Sequence, residues 1–495
     1  MIALGRALLW AATLSVQEAS LPEAIDALVE DFKVRDARVS VAVHSTRTGR
    51  RIYERAADEP LRLASNTKLF TTAATLALLG PEFRFRTSVG LAGEDLHVLG
   101  GGDPNISGRF HDGDPLAVFR LWAGRLREAG VRRVRHLVLH TGIFEDRHLN
   151  PGWKEYDLWW WWSAPFGALS FNDNCVDLEI APAAEGQPCR VTLSPPTAYV
   201  TIINQTRSTS RPRRPFGFTR APGTNTITLR GDVAGRAEYS VAIHDPTRYF
   251  GTVLRETLQA SGIAVDGELR PTDAGLEDAP DFRELACWES DLPRTLAACN
   301  QPSQNFYAEM LLRTLGWKRR GKGTLENGLA AVREFLEGEV GLSGVSLQDG
   351  SGLTRDNRAS ASDLVQLLLY MRGHPHAREF IESLAANGAP AGTLRNRLTS
   401  PELRGRLRAK TGHLSGVSAL SGYAESLGGD VFVFSILVNT PEGTAGADRL
   451  QDRPQFAVQD QAEEFGRLGP ARAAGGGVEA ERAGAVRGQR CGEGL

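Results

Sequence analysis

The chain has 495 residues and a formal net charge of −2, with 57 Lys and Arg residues against 59 Asp and Glu residues. This length allows two or three domains with cores of their own. Because the sequence has neither a basic excess nor a long acidic run, its charge excludes a basic nucleic-acid-binding protein and a solvating acidic tail.

Lysine is scarce in this chain. It occurs only at positions 33, 68, 154, 318, 322 and 410, and Arg supplies all other cationic side chains. Lys can lose its proton in a desolvated site, whereas Arg effectively cannot. The few lysines are therefore candidates for proton transfer, and codon bias is the alternative explanation.

The N-terminus resembles a signal peptide. Arg6 precedes an apolar stretch from Ala7 to Val16, which is too short to span a bilayer. We predict a signal peptide over residues 1–19 and a periplasmic or otherwise exported protein with no further transmembrane anchor. An ordinary first helix is the alternative.

The five cysteines are Cys175, Cys189, Cys287, Cys299 and Cys491. None has C-x-x-C spacing, so we predict no metal site. In an exported chain, sequence proximity predicts the disulfides Cys175–Cys189 and Cys287–Cys299, which leaves Cys491 over. Buried free thiols are the alternative.

The first predicted elements are two strands over 38–45 and 51–54. Apolar residues then recur at helical spacing from Ser65 to Leu79, and Gly80-Pro81 ends this helix. Residues 86–284 contain short β-like runs, helices near 115–129 and 247–261, and heavy Pro and Gly punctuation. We interpret 86–284 as an inserted region of one or two subdomains.

Helical spacing returns from about residue 285, and a strand, turn and strand follow over 413–439. The last residues, 466–495, are rich in Gly, Ala and Arg without periodicity, so we predict that they are disordered.

Three short motifs carry candidate chemistry, and the first is Ser65-Asn66-Thr67-Lys68 at the start of a helix. Residues i and i+3 share a helix face, so the hydroxyl and the amine can meet. A serine hydroxyl needs a base within hydrogen-bond reach to become a nucleophile, and a desolvated Lys can serve. A helix-capping serine beside an exposed Lys is the alternative.

The second motif is Ser303-Gln304-Asn305, where Pro302 sets a turn before a helix. The third is Lys410-Thr411-Gly412 at the start of a strand, where Lys410 and Gly412 share a face and the glycine leaves room for a substrate backbone. Taken alone, the second motif favours simple helix capping, and a surface turn is the alternative for the third.

The order S-x-x-K, S-x-N, K-T-G on helix, loop and strand is typical of class A β-lactamases and penicillin-binding proteins. The chain also resembles the D-alanyl-D-alanine carboxypeptidase/DD-endopeptidase family, the low-molecular-mass class C penicillin-binding proteins. The segments that carry this resemblance lie at 63–74, 100–107, 164–174, 347–368 and 409–423.

The resemblance implies an α/β (α+β) fold with a penicillin-binding, β-lactamase-like transpeptidase domain, in which helices flank an antiparallel sheet. The catalytic domain would comprise residues 20–85 and 285–465, split by the insertion at 86–284. No cofactor, metal or nucleic acid is expected. The implied partners are peptidoglycan stem peptides, with β-lactams as covalent inhibitors.

The resemblance also implies residue roles. Ser65 would attack the D-Ala carbonyl after Lys68 removes its proton, and Ser303 would relay a proton to the leaving amine. Asn305 would hold the substrate amide, and Lys410, Thr411 and Gly412 would line the carboxylate subsite. The backbone N–H groups of Ser65 and His413 would form the oxyanion hole.

His413 and Gln304 depart from the family pattern. A small hydroxyl residue often follows K-T-G in this family, whereas this chain has His413. The middle motif has Gln304 where a shorter polar residue is common. The run Trp159–Trp162 indicates either the core of the inserted region or a cleft wall, or a platform that stacks glycan or docks on a membrane or partner. A β-lactamase or esterase, and a non-catalytic cell-wall binding protein of the same fold, are the alternative functions.

Overall fold

The computed structural model describes residues 22, 23, 26, 37–275, 281–397 and 399–441. The predicted signal peptide at 1–19 and the predicted tail at 466–495 lie outside these residues. Within the described ranges, no helix is both long and apolar enough to cross a bilayer.

The described residues contain strands throughout their length. These are β1 Arg38–Ser45, β2 Arg51–Arg55, β3 Leu61–Arg62, β4 Arg84–Ala92, β5 Asp95–Leu99, β6 Arg133–Val134, β7 Leu137–His140, β8 Cys175–Ala181, β9 Arg190–Ser194, β10 Thr201–Ser208, β11 Gly217–Arg220, β12 Thr226–Val233, β13 Ala237–Ala242, β14 Ala264–Val265, β15 Leu269–Thr272, β16 Arg283–Asp291, β17 Arg358–Ala359, β18 Ala385–Ala386, β19 Leu407–Leu414, β20 Val417–Glu425 and β21 Val431–Asn439.

The α-helices lie between these strands. They are α1 Thr67–Leu79, α2 Ala117–Glu128, α3 Pro246–Ala260, α4 Leu292–Asn300, α5 Asn305–Arg320, α6 Leu325–Phe335, α7 Ala361–Gly373 and α8 Ala377–Ser383. Helix α1 ends at Gly80, as the sequence predicts, and Gly80 adopts a positive φ of 75°.

A six-stranded antiparallel sheet joins the two ends of the described chain. Its strand order is β18-β19-β20-β21-β1-β2, so β1 lies beside β21 with Val41 opposite Ile436. The predicted strand after Lys410 is two strands, because the chain turns tightly at Ser415-Gly416 between β19 and β20. This sheet and its helices confirm the predicted fold class.

Helix α1 lies in the middle of the largest core. Its residues from Thr67 to Leu76 are all buried, so it has no solvent-facing stripe and must be surrounded on every side. Apolar residues of α1, α4, α5, α6 and α7 share this core with residues of the six-stranded sheet. The S-x-x-K motif therefore begins a helix that the core holds firmly.

The middle of the chain forms further sheets. One has five strands in the order β15-β7-β5-β4-β16, and two have three strands, β10-β12-β11 and β13-β8-β9. A second core cluster fills this part of the protein. The predicted boundaries at 86 and 284 fall within β4 and β16, which pair antiparallel. The division into domains stays a prediction.

Both predicted disulfides are wrong. Cys175, Cys189 and Cys299 are free thiols, and all three are buried. Burial, then the carboxylates of Asp177 and Asp173, raises the pKa of the Cys175 thiol well above its usual value. Sequence proximity is therefore a poor guide to disulfide pairing in this chain. Each of these three thiols packs among apolar side chains instead.

Candidate active site

The nucleophile motif lies on a tight turn that leads into α1. Residues Ala64–Asn66 form a single 3₁₀ turn, and Ala64 adopts a positive φ of 45°. Thr67 Oγ1 donates to the Ala64 carbonyl over 2.9 Å. Ser65 remains half-buried, whereas Lys68 is completely buried one turn later. The turn thus presents the hydroxyl to the cleft and buries the amine behind it.

The Lys68 amine makes three short contacts. Nζ lies 2.9 Å from Ser65 Oγ, 2.6 Å from Asn305 Oδ1 and 2.7 Å from the Ser351 carbonyl oxygen. A neutral amine has two N–H bonds and one lone pair. With the two carbonyl-type oxygens accepting the N–H bonds, the lone pair faces the Ser65 hydroxyl.

Burial also favours the neutral form of Lys68. Desolvation lowers the pKa of this amine to about 8, against the opposing effects of Cys299, Asp349 and Glu309. A base with a pKa near the working pH suits proton abstraction. The structure therefore brings Ser65, Lys68 and Asn305 together, with a Lys68 amine that loses its proton more readily than an ordinary lysine.

The S-x-N motif reaches the same cleft from the start of α5. The Asn305 side-chain NH₂ donates to the Trp162 carbonyl over 2.7 Å, which turns the amide oxygen toward Lys68. Ser303 stands before the helix with a φ of 66°, a left-handed conformation that L-residues rarely adopt. The turn set by Pro302 thus aims both side chains into the cleft.

Lys410 completes the site from β19. Its buried Nζ donates to Ser303 Oγ over 2.7 Å and to the Thr411 carbonyl over 2.9 Å. Desolvation, then the nearby Lys68, lowers the pKa of Lys410 well below its usual value. The site therefore contains two Ser–Lys pairs, Ser65 with Lys68 and Ser303 with Lys410.

Strand β19 has an open edge at the site. Strand β18 is its outer neighbour, and β18 pairs with only two residues of β19, Arg408 and Ala409. From Lys410 onward, no described strand pairs with this edge of β19. Thr411 Oγ1 donates to Thr393 Oγ1 over 2.9 Å. The His413 side chain is exposed to solvent. An open strand edge can accept an extended peptide.

The sequence analysis included the loop that carries Ser351 in the segment 347–368, but it gave Ser351 no role. Asp349 anchors this loop, because its carboxylate accepts from the backbone N–H groups of Gly352 and Thr354, each over 2.7 Å. Ser351 contacts Lys68 through its carbonyl oxygen. The residue type of a backbone acceptor carries no signal, so the segment 347–368 could indicate the loop but not this contact.

The tryptophan run lies beside this cleft. Trp160 stacks on Trp162 with ring centroids 4.7 Å apart, and Trp160 also packs on Phe218 at 4.6 Å. All four tryptophans are half-buried. Trp161 packs against one core cluster and Trp159 against the other. This packing, with the Trp162 carbonyl bound by Asn305, favours the cleft-wall interpretation.

Comparisons with known proteins agree with this geometry. A model of the D-Ala-D-Ala carboxypeptidase 3 (S13) family matches residues 21–459. A D-alanyl-D-alanine carboxypeptidase of an Actinomadura species is 35% identical over 454 residues, which cover 86% of this chain and 82% of the relative.

Two solved structures share the fold. The crystal structure of penicillin binding protein 4 (dacB) from Haemophilus influenzae has a TM-score of 0.70 and 22% identity, and covers 88% of this chain and 97% of that one. The same protein complexed with a β-lactam has a TM-score of 0.67 and 20% identity, and covers 90% and 98%.

Proposed function

We propose that Ser65 is the nucleophile and Lys68 its base, because the chain belongs to the D-Ala-D-Ala carboxypeptidase 3 (S13) family and is a serine-type carboxypeptidase. The family and the enzyme class are those predicted from the sequence. The non-catalytic alternative has no support, and neither has the β-lactamase or esterase alternative.

One observation carries the assignment of the base. Lys68 Nζ lies 2.9 Å from Ser65 Oγ in a buried position where desolvation lowers its pKa to about 8. In the proposed step, the Lys68 lone pair takes the hydroxyl proton while Ser65 Oγ bonds to the D-Ala carbonyl carbon. The C–N bond then breaks, and an acyl-enzyme remains.

The second Ser–Lys pair serves the leaving group in this proposal. Ser303 Oγ accepts a hydrogen bond from Lys410 and can pass its own proton to the departing amine. Lys410 replaces that proton, and Thr411 and Gly412 line the subsite of the terminal carboxylate. Asn305 holds the substrate amide, and the N–H groups of Ser65 and His413 form the oxyanion hole.

The proposed substrate is a peptidoglycan stem peptide that ends in D-Ala-D-Ala. The uncovered edge of β19 from Lys410 onward supports this choice, because an extended peptide can pair with it. Water then releases the acyl group in a carboxypeptidase or DD-endopeptidase reaction. β-Lactams inhibit by acylating Ser65, and the enzyme acts in the periplasm or another exported location.

We also propose that residues 20–85 and 285–465 form one catalytic domain split by the insertion at 86–284. The six-stranded sheet supports this division, because β1 and β2 come from the first segment and β18–β21 from the second.

The direct test uses a fluorescent penicillin and a pentapeptide ending in D-Ala-D-Ala. The unsubstituted protein should take the label and release D-Ala, whereas Ser65→Ala should do neither. Ser210→Ala is the matched control. It changes an exposed serine between β10 and β11, and it should behave like the unsubstituted protein.

Two results would overturn the proposal. An unsubstituted protein that takes no label and releases no D-Ala contradicts the function. Label that persists in Ser65→Ala contradicts the choice of nucleophile.

A further inference from the structure

The loop that carries Ser351 lies between α1 and α5, and its backbone is held from both sides. On the α1 side, the Gly350 carbonyl accepts from Thr71 Oγ1 over 2.8 Å and the Ser351 carbonyl accepts from Lys68. On the α5 side, the N–H groups of Gly350 and Ser351 donate to Glu309 Oε1 over 3.1 Å and 2.9 Å.

Burying the Glu309 side chain carries a desolvation penalty. It is completely buried, as is Arg313, whose Nη1 donates to Glu309 Oε2 over 2.9 Å. A buried ion pair of this kind is often no more stable than a well-packed apolar pair of similar volume. Fold stability alone therefore does not account for a carboxylate at this point of α5.

Helix α5 fixes both acceptors of the Lys68 amine. Asn305 supplies one directly, and Glu309, one turn later on the same helix face, holds the loop that supplies the other. We propose that Glu309 is a positioning residue that fixes the Ser351 carbonyl and thereby aims the Lys68 lone pair at Ser65. This inference rests on the proposed role of Lys68.

The decisive comparison is between two double variants that differ only in the acceptor atom. Glu309→Gln/Arg313→Met keeps one side-chain oxygen for the Gly350 and Ser351 N–H groups, and Glu309→Leu/Arg313→Met removes it. Neither leaves Glu309 or Arg313 as a lone buried charge. Both variants also remove the arginine that lies 3.7 Å from Glu145, so this loss cancels in the comparison. The measurements are the acylation rate constant with a fluorescent penicillin, the affinity before acylation, and thermal unfolding.

The Gln/Met variant should acylate close to the unsubstituted rate. The Leu/Met variant should acylate roughly 10²-fold more slowly at similar initial affinity, the size of loss expected when a catalytic group is misplaced by about 1 Å. If Leu/Met does not fold, Glu309→Asp replaces it, because the shorter side chain draws the oxygen away from the loop and keeps the charge beside Arg313.

Equal acylation rates in the two double variants would overturn the inference, whether both equal the unsubstituted rate or both fall together. If Glu309→Asp replaces Leu/Met, a rate equal to the unsubstituted one would do the same. An unsubstituted protein that takes no label contradicts the proposed function itself, so the two failures are distinguishable.

Discussion

The backbone of Gly412 lies against the amide nitrogen of Ser65. A β-carbon at position 412 would stand 3.2 Å from that nitrogen and 2.8 Å from the Leu63 carbonyl oxygen. In the sequence analysis this glycine leaves room for a substrate backbone, whereas on the side where a β-carbon would project, the turn that carries Ser65 occupies the space. The K-T-G glycine thus lets β19 approach the turn that carries Ser65.

We predict that Gly412→Ala lowers the acylation rate constant by roughly 10²-fold, because β19 and the Ser65 turn must separate and misalign the reacting groups. The rate of labelling by a fluorescent penicillin measures this effect. Gly124→Ala in α2 is the matched control, since a β-carbon there meets nothing within 4 Å. A Gly412→Ala protein that acylates as fast as the control would contradict the prediction.

The sequence identified the side chains that meet in the site, partly because helix geometry brings some of them together. Ser65 and Lys68 are one helical turn apart, so local geometry alone brings them together. Ser303, Asn305 and Lys410 are distant in sequence, and their inclusion depended on the order of the motifs. The same local reasoning placed β1 and α1 close to their observed bounds.

What the sequence could not provide depends on tertiary packing. The Ser351 carbonyl and the Trp162 carbonyl are backbone groups, which no residue type marks. Nothing in the helical pattern of α5 distinguishes Glu309 from its neighbours. Only the folded loop shows that its carboxylate accepts from the N–H groups of Gly350 and Ser351. The disulfide error has the same origin, because nearness in sequence does not fix nearness in space.

We predict that acylation becomes faster as the pH rises through about 8. Desolvation lowers the pKa of Lys68 to about 8, so the amine is protonated below that pH and cannot accept the Ser65 proton. Above it, the neutral amine dominates and the rate should level off. The acylation rate constant, measured with a fluorescent penicillin across this range, checks the profile.

Lys68→Arg provides the control for this profile, because a guanidinium keeps its proton at every accessible pH. The variant should acylate very slowly at all pH values and show no rise near pH 8. A rise that survives in Lys68→Arg would assign the titration to another group.

Ser303 allows strain and chemistry to be separated. Its φ of 66° is a conformation that costs an L-residue about 1 kcal/mol or more and costs glycine little. Ser303→Gly and Ser303→Ala both remove the hydroxyl that Lys410 contacts, so both should lose D-Ala release to a similar extent. Ser303→Gly should nevertheless be more stable than Ser303→Ala by about 1 kcal/mol, measured by thermal unfolding.

Equal stability of the two Ser303 variants would show that the turn does not impose the left-handed conformation. Full D-Ala release in either variant would remove Ser303 from the proton relay.

His413 departs from the hydroxyl residue that the family resemblance implies, and its effect should depend on pH. Its side chain is exposed, yet the surrounding protein desolvates the imidazole enough to lower its pKa below the usual 6.5. The imidazole is therefore neutral at neutral pH and gains a positive charge only in acid. That charge would lie next to the proposed subsite of the substrate carboxylate.

We therefore compare kcat/KM for D-Ala release between the unsubstituted protein and His413→Ala. The ratio of the two values should be near one at about pH 8 and should rise a few-fold once the pH is low enough to protonate the imidazole. An exposed charge pair is worth about 0.2–1 kcal/mol, which limits the rise. The ratio cancels the titration of Lys68, because both proteins share that base. A ratio that stays flat into acid would show that His413 does not face the carboxylate, and the subsite would then depend on Lys410 and Thr411.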